Sequence, residues 1–364
     1  MGLNVGAWVK WSSMIWLCMG LVLPSSGRAL ADAPPAASTP PASLRETSPS
    51  GRGQRTFLKR FFATWESEVT VTTGPRRDDL NWAIAGNAAG GSPNVLSELN
   101  WSDVESYQVT LANRSIVSEH IYLRGAFSYA GIQEGTVRDS DYTHDGRTAE
   151  WSRSISQTNG DELWDVTAGG GYAFYLLDGR LLVAPLLGVS YHKQNLRITD
   201  GMQVISQDNP FSSSLQDNPP PVGPLTSELN STYFGRWMGP WIGCDLRYQT
   251  QKRKPDALVM SFGLSFELHL ADYYGEGNWN LRGDLAHPKS FEHDADGIGL
   301  CLSAEWRIAV AEHWDVTFTA SHQDWSTDGG TDRKFLSDGG TTLTRLNGVN
   351  WQSDSFMAGA SYRF

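Results

Sequence analysis

Hydrophobic and polar residues alternate with a period of two along most of the chain after about residue 65. Between Met260 and Leu270 every second residue is Met, Phe or Leu, and the residues between them are Ser, Gly, Glu and His. Because side chains alternate between the two faces of a β-strand, this pattern predicts strands with one apolar and one polar face. It predicts ten strands: 66–84, 95–111, 120–133, 162–177, 180–198, 233–250, 257–274, 298–310, 314–325 and 349–364.

The connections between these strands alternate in length. Long connections at 134–161, 199–232, 275–297 and 326–348 are each preceded by a short one, such as the turn at Asp178-Gly179. Outer-membrane barrels have long external loops and short periplasmic turns. The predicted fold class is therefore all-β: a single transmembrane antiparallel up-and-down β-barrel of about ten strands. Those four loops are predicted outside, and both chain ends on the periplasmic side.

The last strand supports this prediction. Phe356, Tyr362 and the terminal Phe364 lie on one face of the predicted strand, and the other face carries Met357, Gly359, Ser361 and Arg363. An apolar final strand that ends in Phe resembles the terminal signal of bacterial outer-membrane barrels. We therefore predict an integral protein of the bacterial outer membrane, surrounded by its lipid.

Composition excludes several other classes. Only 19% of the 364 residues are charged, and the chain has 37 Gly and 15 Trp, which argues against a coiled coil or a helical bundle. The net charge of −11 gives no support to nucleic-acid binding, which requires a basic face. No internal stretch reaches the ~18 uncharged apolar residues of a membrane helix.

The N-terminal region predicts export. Residues 1–31 resemble a secretory signal peptide, with Lys10 before an apolar stretch and Ala29-Leu30-Ala31 as the cleavage site. The Pro/Ala/Ser-rich segment 32–62 is predicted to be disordered, and 63–364 to form the barrel. No cofactor or metal is predicted from this sequence.

The polar face of the predicted strands carries charges of both signs. We expect these residues to pair across strands and fill the narrow lumen, although Glu267 and His269 also form an alternative catalytic pair. Cys244 is predicted to face lipid and Cys301 the lumen, so no disulfide is expected. The inward charged set is Arg124, Asp165, Asp245, Arg247, Glu267, His269, Glu305, Arg307 and Arg363.

Three stretches resemble the omptins, ten-stranded outer-membrane endopeptidases. Ser97-Glu98-Leu99-Asn100-Trp101 is similar to a run in their second strand, and Gly125–Tyr129 is similar to the stretch before their second external loop. Asp139-Ser140-Asp141-Tyr142-Thr143-His144-Asp145 matches their D-x-D-aromatic-x-x-D motif. The resemblance covers roughly residues 66–364. It implies peptide cleavage by a water held between an Asp pair and an Asp-His pair, and lipopolysaccharide binding.

The chemistry of Asp139 and Asp141 fits this role. Residues at i and i+2 on an extended strand point the same way, and two close carboxylates raise the pKa of one of them. Such a pair can hold a water and share its proton. An Asp-x-Asp sequence in a polar loop is equally compatible with a cation or with no ligand.

The fourth external loop departs from the omptin pattern. Omptins carry D-x-H there, but the matching positions, Gly277 to Asn280, contain neither residue. The nearest candidates are Asp284 and His287, whose spacing on a regular strand points them to opposite faces. His293 and Asp294 are a weaker pair for the same reason.

The sequence leaves the function open. One hypothesis is an omptin-type aspartyl endopeptidase with Asp139, Asp141, Asp284 and His287 as its catalytic set, acting on peptides or proteins with lipopolysaccharide as a required lipid. The alternative is a non-catalytic surface barrel, serving adhesion, a structural role or a narrow pore. A lipid hydrolase would need a Ser-His set, and the only adjacent pair of these residues, Ser321-His322, is predicted to point to opposite faces.

Overall fold

The computed structural model describes residues 65–209, 211, 218–250 and 258–364. The predicted signal peptide and the Pro-rich segment lie outside these residues. Within them, no helix is long and apolar enough to cross a membrane. The strands are β1 (Trp65–Ile84), β2 (Ser97–Val117), β3 (Ile121–His144), β4 (Thr148–Gln157), β5 (Glu162–Tyr172), β6 (Phe174–Leu176), β7 (Leu181–Ser206), β8 (Gly223–Pro224), β9 (Ser231–Gln249), β10 (Met260–Asn278), β11 (Phe291–Ala309), β12 (Trp314–Thr327), β13 (Gly330–Phe335) and β14 (Thr341–Arg363).

The strands close into an antiparallel ring because β1 pairs with both β2 and β14. β4 and β5 occupy one position between β3 and β7, one above the other. β13 extends the barrel at its loop end, where it pairs with β11 and β14. The ring therefore has ten strand positions, which confirms the predicted fold class.

The register of the ring shows that its strands are tilted. Following paired residues once around the barrel leads from Glu68 to Leu80 on the same strand, a displacement of twelve residues. Such a shear around a closed barrel accompanies a tilt of about 35–45° from its axis. The row runs through Glu68, Arg114, Arg124, Gly169, Gly188, Trp241, His269, Gly299, Trp325, Trp351 and Leu80.

Glycines on this row make room for tryptophans inside the barrel. A Cβ on Gly169 or Gly188 would lie 2.4 Å from the ring of Trp241, and one on Gly299 would lie 2.3 Å from the ring of Trp325. Trp325 also stacks on Trp351 with 5.6 Å between ring centroids. These rings are almost fully buried, so they fill the middle of the lumen.

Charged side chains occupy the lumen on the periplasmic side of the tryptophans. Arg124 pairs with Asp245 at 2.9 Å and with Glu267, and Arg307 pairs with Glu305 at 2.7 Å and with Glu68. Arg247, Asp165, His269 and Arg363 are paired as well. The prediction that inward charges pair across the lumen is confirmed. These contacts satisfy buried charges that would otherwise be costly.

The outer face is apolar, as the alternation predicted. Leu187, Ile242, Leu264 and Leu270 are each more than half exposed, as lipid-facing residues of a barrel are. Cys244 lies on this face and Cys301 on the inner one, and both are free thiols. The predicted absence of a disulfide therefore holds for this pair.

Several strands extend beyond the bounds predicted from the sequence. The predicted loop 134–161 contains the upper end of β3 and all of β4, and the predicted loop 326–348 contains β13 and the start of β14. Above the membrane neither face needs to be apolar, so the alternation disappears although the strand pairing continues. The barrel therefore rises well above its apolar belt.

Candidate active site at the barrel mouth

Asp139 and Asp141 lie near the loop end of β3, on the inward face. Asp139 is in register with Leu99, and Asp141 with Ser97. Leu99 belongs to the buried core of the lumen. Asp139 lies ten residues beyond Tyr129, a large residue exposed on the lower outer face of β3, which places the acid pair roughly 25 Å higher along the barrel axis.

A β-bulge decides that this pair faces inward. Tyr129 has the same parity as both acids and faces outward, so a regular strand would also direct the acids outward. The pairing of β2 with β3 shifts register between Glu105 and Ser106, whose partners on β3 are Glu134 and Ile132, so Gln133 is an extra residue on β3. The extra residue reverses the alternation above it.

The environment of the acid pair favours retention of a proton. Burial and the charge of Asp141 raise the pKa of Asp139 well above its usual value. Burial also raises the pKa of Asp141, while hydrogen bonds from Ser97 and Ser152 oppose that rise. Two carboxyls in this situation titrate as a coupled pair. The pair is therefore suited to hold one shared proton.

The opposite wall of the mouth presents two cations to the acid pair. The charges of Arg282 and Lys334 each lower the pKa of Asp139 and of Asp141. Arg282 belongs to the connection between β10 and β11, and Lys334 lies on β13 in register with the buried Phe291. Nothing in the sequence pattern singled out these two residues, because their relevance arises only from ring closure.

The structure places Asp284 and His287 in this loop but does not pair them with each other. Asp284 accepts two hydrogen bonds from Arg282, at 2.8 and 2.7 Å, and these lower the pKa of Asp284. The ring of His287 lies 2.8 Å from Asn278 Oδ1 and 3.1 Å from the carbonyl oxygen of Arg282. Both nitrogens of His287 are therefore engaged with partners other than Asp284.

A buried histidine–aspartate pair does occur elsewhere in the mouth. His293 Nε2 lies 3.2 Å from Asp332 Oδ1, and its Nδ1 lies 3.0 Å from the hydroxyl of Tyr233. The sequence offered Asp294 as the partner of His293, but adjacent residues of a strand face apart. The aspartate that pairs with His293 is Asp332. The ring of Trp82 packs 4.8 Å from His293, and His293 is fully buried. This pair lies among the buried aromatic side chains below the mouth.

The alternative lumen pair is also partnered. His269 lies 3.1 Å from Glu267 and 2.9 Å from the hydroxyl of Ser190. The ring of His269 packs against Trp325, one of the tryptophans that fill the lumen, and Ser190 is only 5% exposed. A polar cavity of about 210 Å³ reaches Glu267 but is not lined by Ser190 or His269. Within the described residues, no group of three or more His, Cys, Asp and Glu is placed to hold a metal ion.

The closed ring, the apolar outer belt and the polar, ion-paired lumen define a β-barrel of the bacterial outer membrane. The chain belongs to the Protochlamydia outer membrane protein (Pom) family, whose model matches residues 70–364. No protein with a curated description matches the chain.

One solved structure supports the same fold. The outer membrane protease OmpT from Escherichia coli is 11% identical, with a TM-score of 0.66 over 82% of this chain and 97% of that chain. This likeness confirms the resemblance to an omptin barrel, and at that identity it shows the fold alone. The translocator domain of the autotransporter NalP from Neisseria meningitidis is 12% identical, with a TM-score of 0.31 over 86% of this chain and 95% of that chain.

Proposed function

We propose that the chain is a surface endopeptidase in which Asp139 and Asp141 activate a water at the barrel mouth. The observation that carries this proposal is the inward-facing acid pair with raised pKa values. Two carboxyls that share a proton supply both a general base and a general acid. The substrate would be a peptide or a protein segment that reaches the mouth from outside.

The hydrogen bonds around the pair suggest which carboxyl holds the proton. Ser97 and Ser152 stabilise the ionised form of Asp141, so we assign the shared proton to Asp139. Asp141 would accept a proton from the water as its oxygen attacks the scissile carbonyl carbon. Asp139 would donate a hydrogen bond to the carbonyl oxygen, and the proton that Asp141 took from the water would pass to the leaving nitrogen when the C–N bond breaks.

The roles of Asp284 and His287 depend on the loop that carries them. In the omptin-like scheme His287 would accept the proton of the water, oriented by Asp284. In the geometry described above, Asp284 instead holds Arg282, whose charge helps to keep one carboxyl of the pair ionised. The acid pair has the groups for catalysis without His287, and the two schemes make different predictions for a His287 variant.

Cleavage of a peptide library by refolded chain, with and without lipopolysaccharide, tests the proposal. Asp139→Asn and Asp141→Asn are each expected to lose about 10²–10⁴-fold in rate. Asp145→Asn is the matched control, because Asp145 belongs to the same motif but does not belong to the acid pair. Its Oδ1 accepts a hydrogen bond of 2.7 Å from the amide of Asn94. If His287→Ala cleaves peptide at the wild-type rate, the acid pair activates the water without His287. If His287→Ala loses activity, His287 acts as the general base.

A non-catalytic surface barrel is the second candidate. The separation of Asp284 from His287 favours it, because the omptin-like catalytic set is then incomplete. The tryptophan layer in the lumen gives no support to a pore. If the wild-type chain cleaves no peptide, or if both acid variants cleave as well as wild type, the peptidase proposal fails and the non-catalytic barrel stands.

A further inference from the structure

The lipid-facing surface carries a histidine–aspartate pair at an unusual position. His322 on β12 and Asp354 on β14 are directly opposite each other in register. His322 Nδ1 lies 2.8 Å from Asp354 Oδ1, and the two side chains are 43% and 70% exposed. Both have the parity of the outward residues Phe318 and Phe356, so the pair lies on the outer surface.

The apolar belt is short where this pair lies. On β10 the outward residues are apolar from Met260 to Leu270, which spans about 25 Å along the barrel axis. On β12 they are apolar only from Trp314 to Ala320, about 15 Å by the same geometry. A barrel normally presents a band of about 25 Å to the hydrocarbon. The polar pair of His322 and Asp354 therefore lies at a level where other strands face lipid with apolar residues.

Small side chains lie directly below the pair. Ala304, Ala320 and Ala358 face outward on β11, β12 and β14, between larger residues such as Trp306 and Phe356. A shallow outer groove of about 1150 Å³ crosses this face, and its lining includes Ala304, Ala320, His322, Asp354 and Phe356. Small residues allow close approach between membrane-embedded surfaces.

We propose that this face, formed by β11, β12 and β14 around His322 and Asp354, binds a second copy of the chain within the membrane. Charge complementarity identifies the occupant. Two copies inserted the same way up are related by a twofold axis along the membrane normal, and such an interface is self-complementary. An axis passing between β12 and β14 brings His322 of each copy towards Asp354 of the other. The contact removes the pair from hydrocarbon, where charge is costly.

Cysteine cross-linking in lipid vesicles tests the contact. In a background with all three native cysteines replaced by Ser, Ala320→Cys is expected to form a covalent dimer with a short bismaleimide. Val189→Cys on β7 is the matched control, because it is lipid-facing and 51% exposed on the far side of the ring. Equal cross-linking at the two positions, or none at Ala320→Cys, would overturn the proposal.

A charge exchange separates recognition from folding. His322→Asp places like charges at the axis and is expected to reduce cross-linking through Ala320→Cys at least tenfold. The double variant His322→Asp with Asp354→His restores complementarity and is expected to restore the dimer. Heat-modifiable gel mobility confirms that each barrel has assembled. If the double variant assembles but stays monomeric, the face adapts to a locally thin bilayer and the dimer proposal is wrong.

Discussion

Replacing Gly299 by Ala should destabilise the barrel through a single methyl group. Gly299 on β11 is in register with Trp325 on β12, and the added Cβ would lie 2.3 Å from the indole ring. Ordinary contacts of a Cβ lie at 3.4–4 Å, so the overlap exceeds an ångström. Overpacking of this kind costs about 1–3 kcal/mol, which is about a 5- to 150-fold change in the unfolding equilibrium.

The effect can be isolated because the chain offers a matched control. A Cβ added to Gly131 on β3 would have nothing within 4 Å, so Gly131→Ala should be neutral or slightly stabilising. Trp325→Ala alone removes a fully buried ring and should cost about 3–5 kcal/mol. In that background Gly299→Ala has nothing to collide with, and its own cost should disappear.

Unfolding by guanidinium in detergent, followed by heat-modifiable gel mobility, measures the stability of the wild type and the four variants without relying on the fluorescence of the deleted indole. The prediction is refuted if Gly299→Ala is as stable as Gly131→Ala. It is also refuted if Gly299→Ala costs the same with and without Trp325. Either result would mean that Trp325 does not lie over Gly299, and the twelve-residue shear of the ring would then be wrong.

Three further predictions follow from other parts of the chain. The ionised acid pair opposes folding, so the free energy of unfolding of the wild type should fall as the pH rises from about 3.9 through the raised pKa values. In chemical unfolding, Asp139→Asn should therefore be more stable than wild type at pH 8 and equally stable below pH 4. An increase in wild-type stability with rising pH would contradict this prediction. For topology, a membrane-impermeant thiol reagent should label Gly146→Cys but not Gly179→Cys on intact cells, and the reverse pattern would invert the barrel. Deletion of Phe364, whose amide donates to Ser67 at 2.9 Å, should lower the fraction of assembled, heat-modifiable barrel, and unchanged assembly would show that the terminal strand does not require it.

The sequence determined the barrel because a lipid-facing strand must keep the same parity of apolar residues across the membrane. The run from Met260 to Leu270 is apolar at every second position for that reason. The inward position of Glu267 and the outward position of Cys244 follow from the same alternation. Where the barrel leaves the membrane this constraint ends, so the upper part of β3 and all of β4 appeared in the sequence as a loop.

Only the tertiary structure decided how the mouth is built. The parity of Asp139 and Asp141 alone directs them outward, and the extra residue Gln133 on β3 turns them inward. Arg282 and Lys334 are distant from these acids in sequence and face them only because the sheet closes on itself. Local alternation reports which residues meet lipid, whereas cross-strand register and ring closure determine which polar groups meet one another.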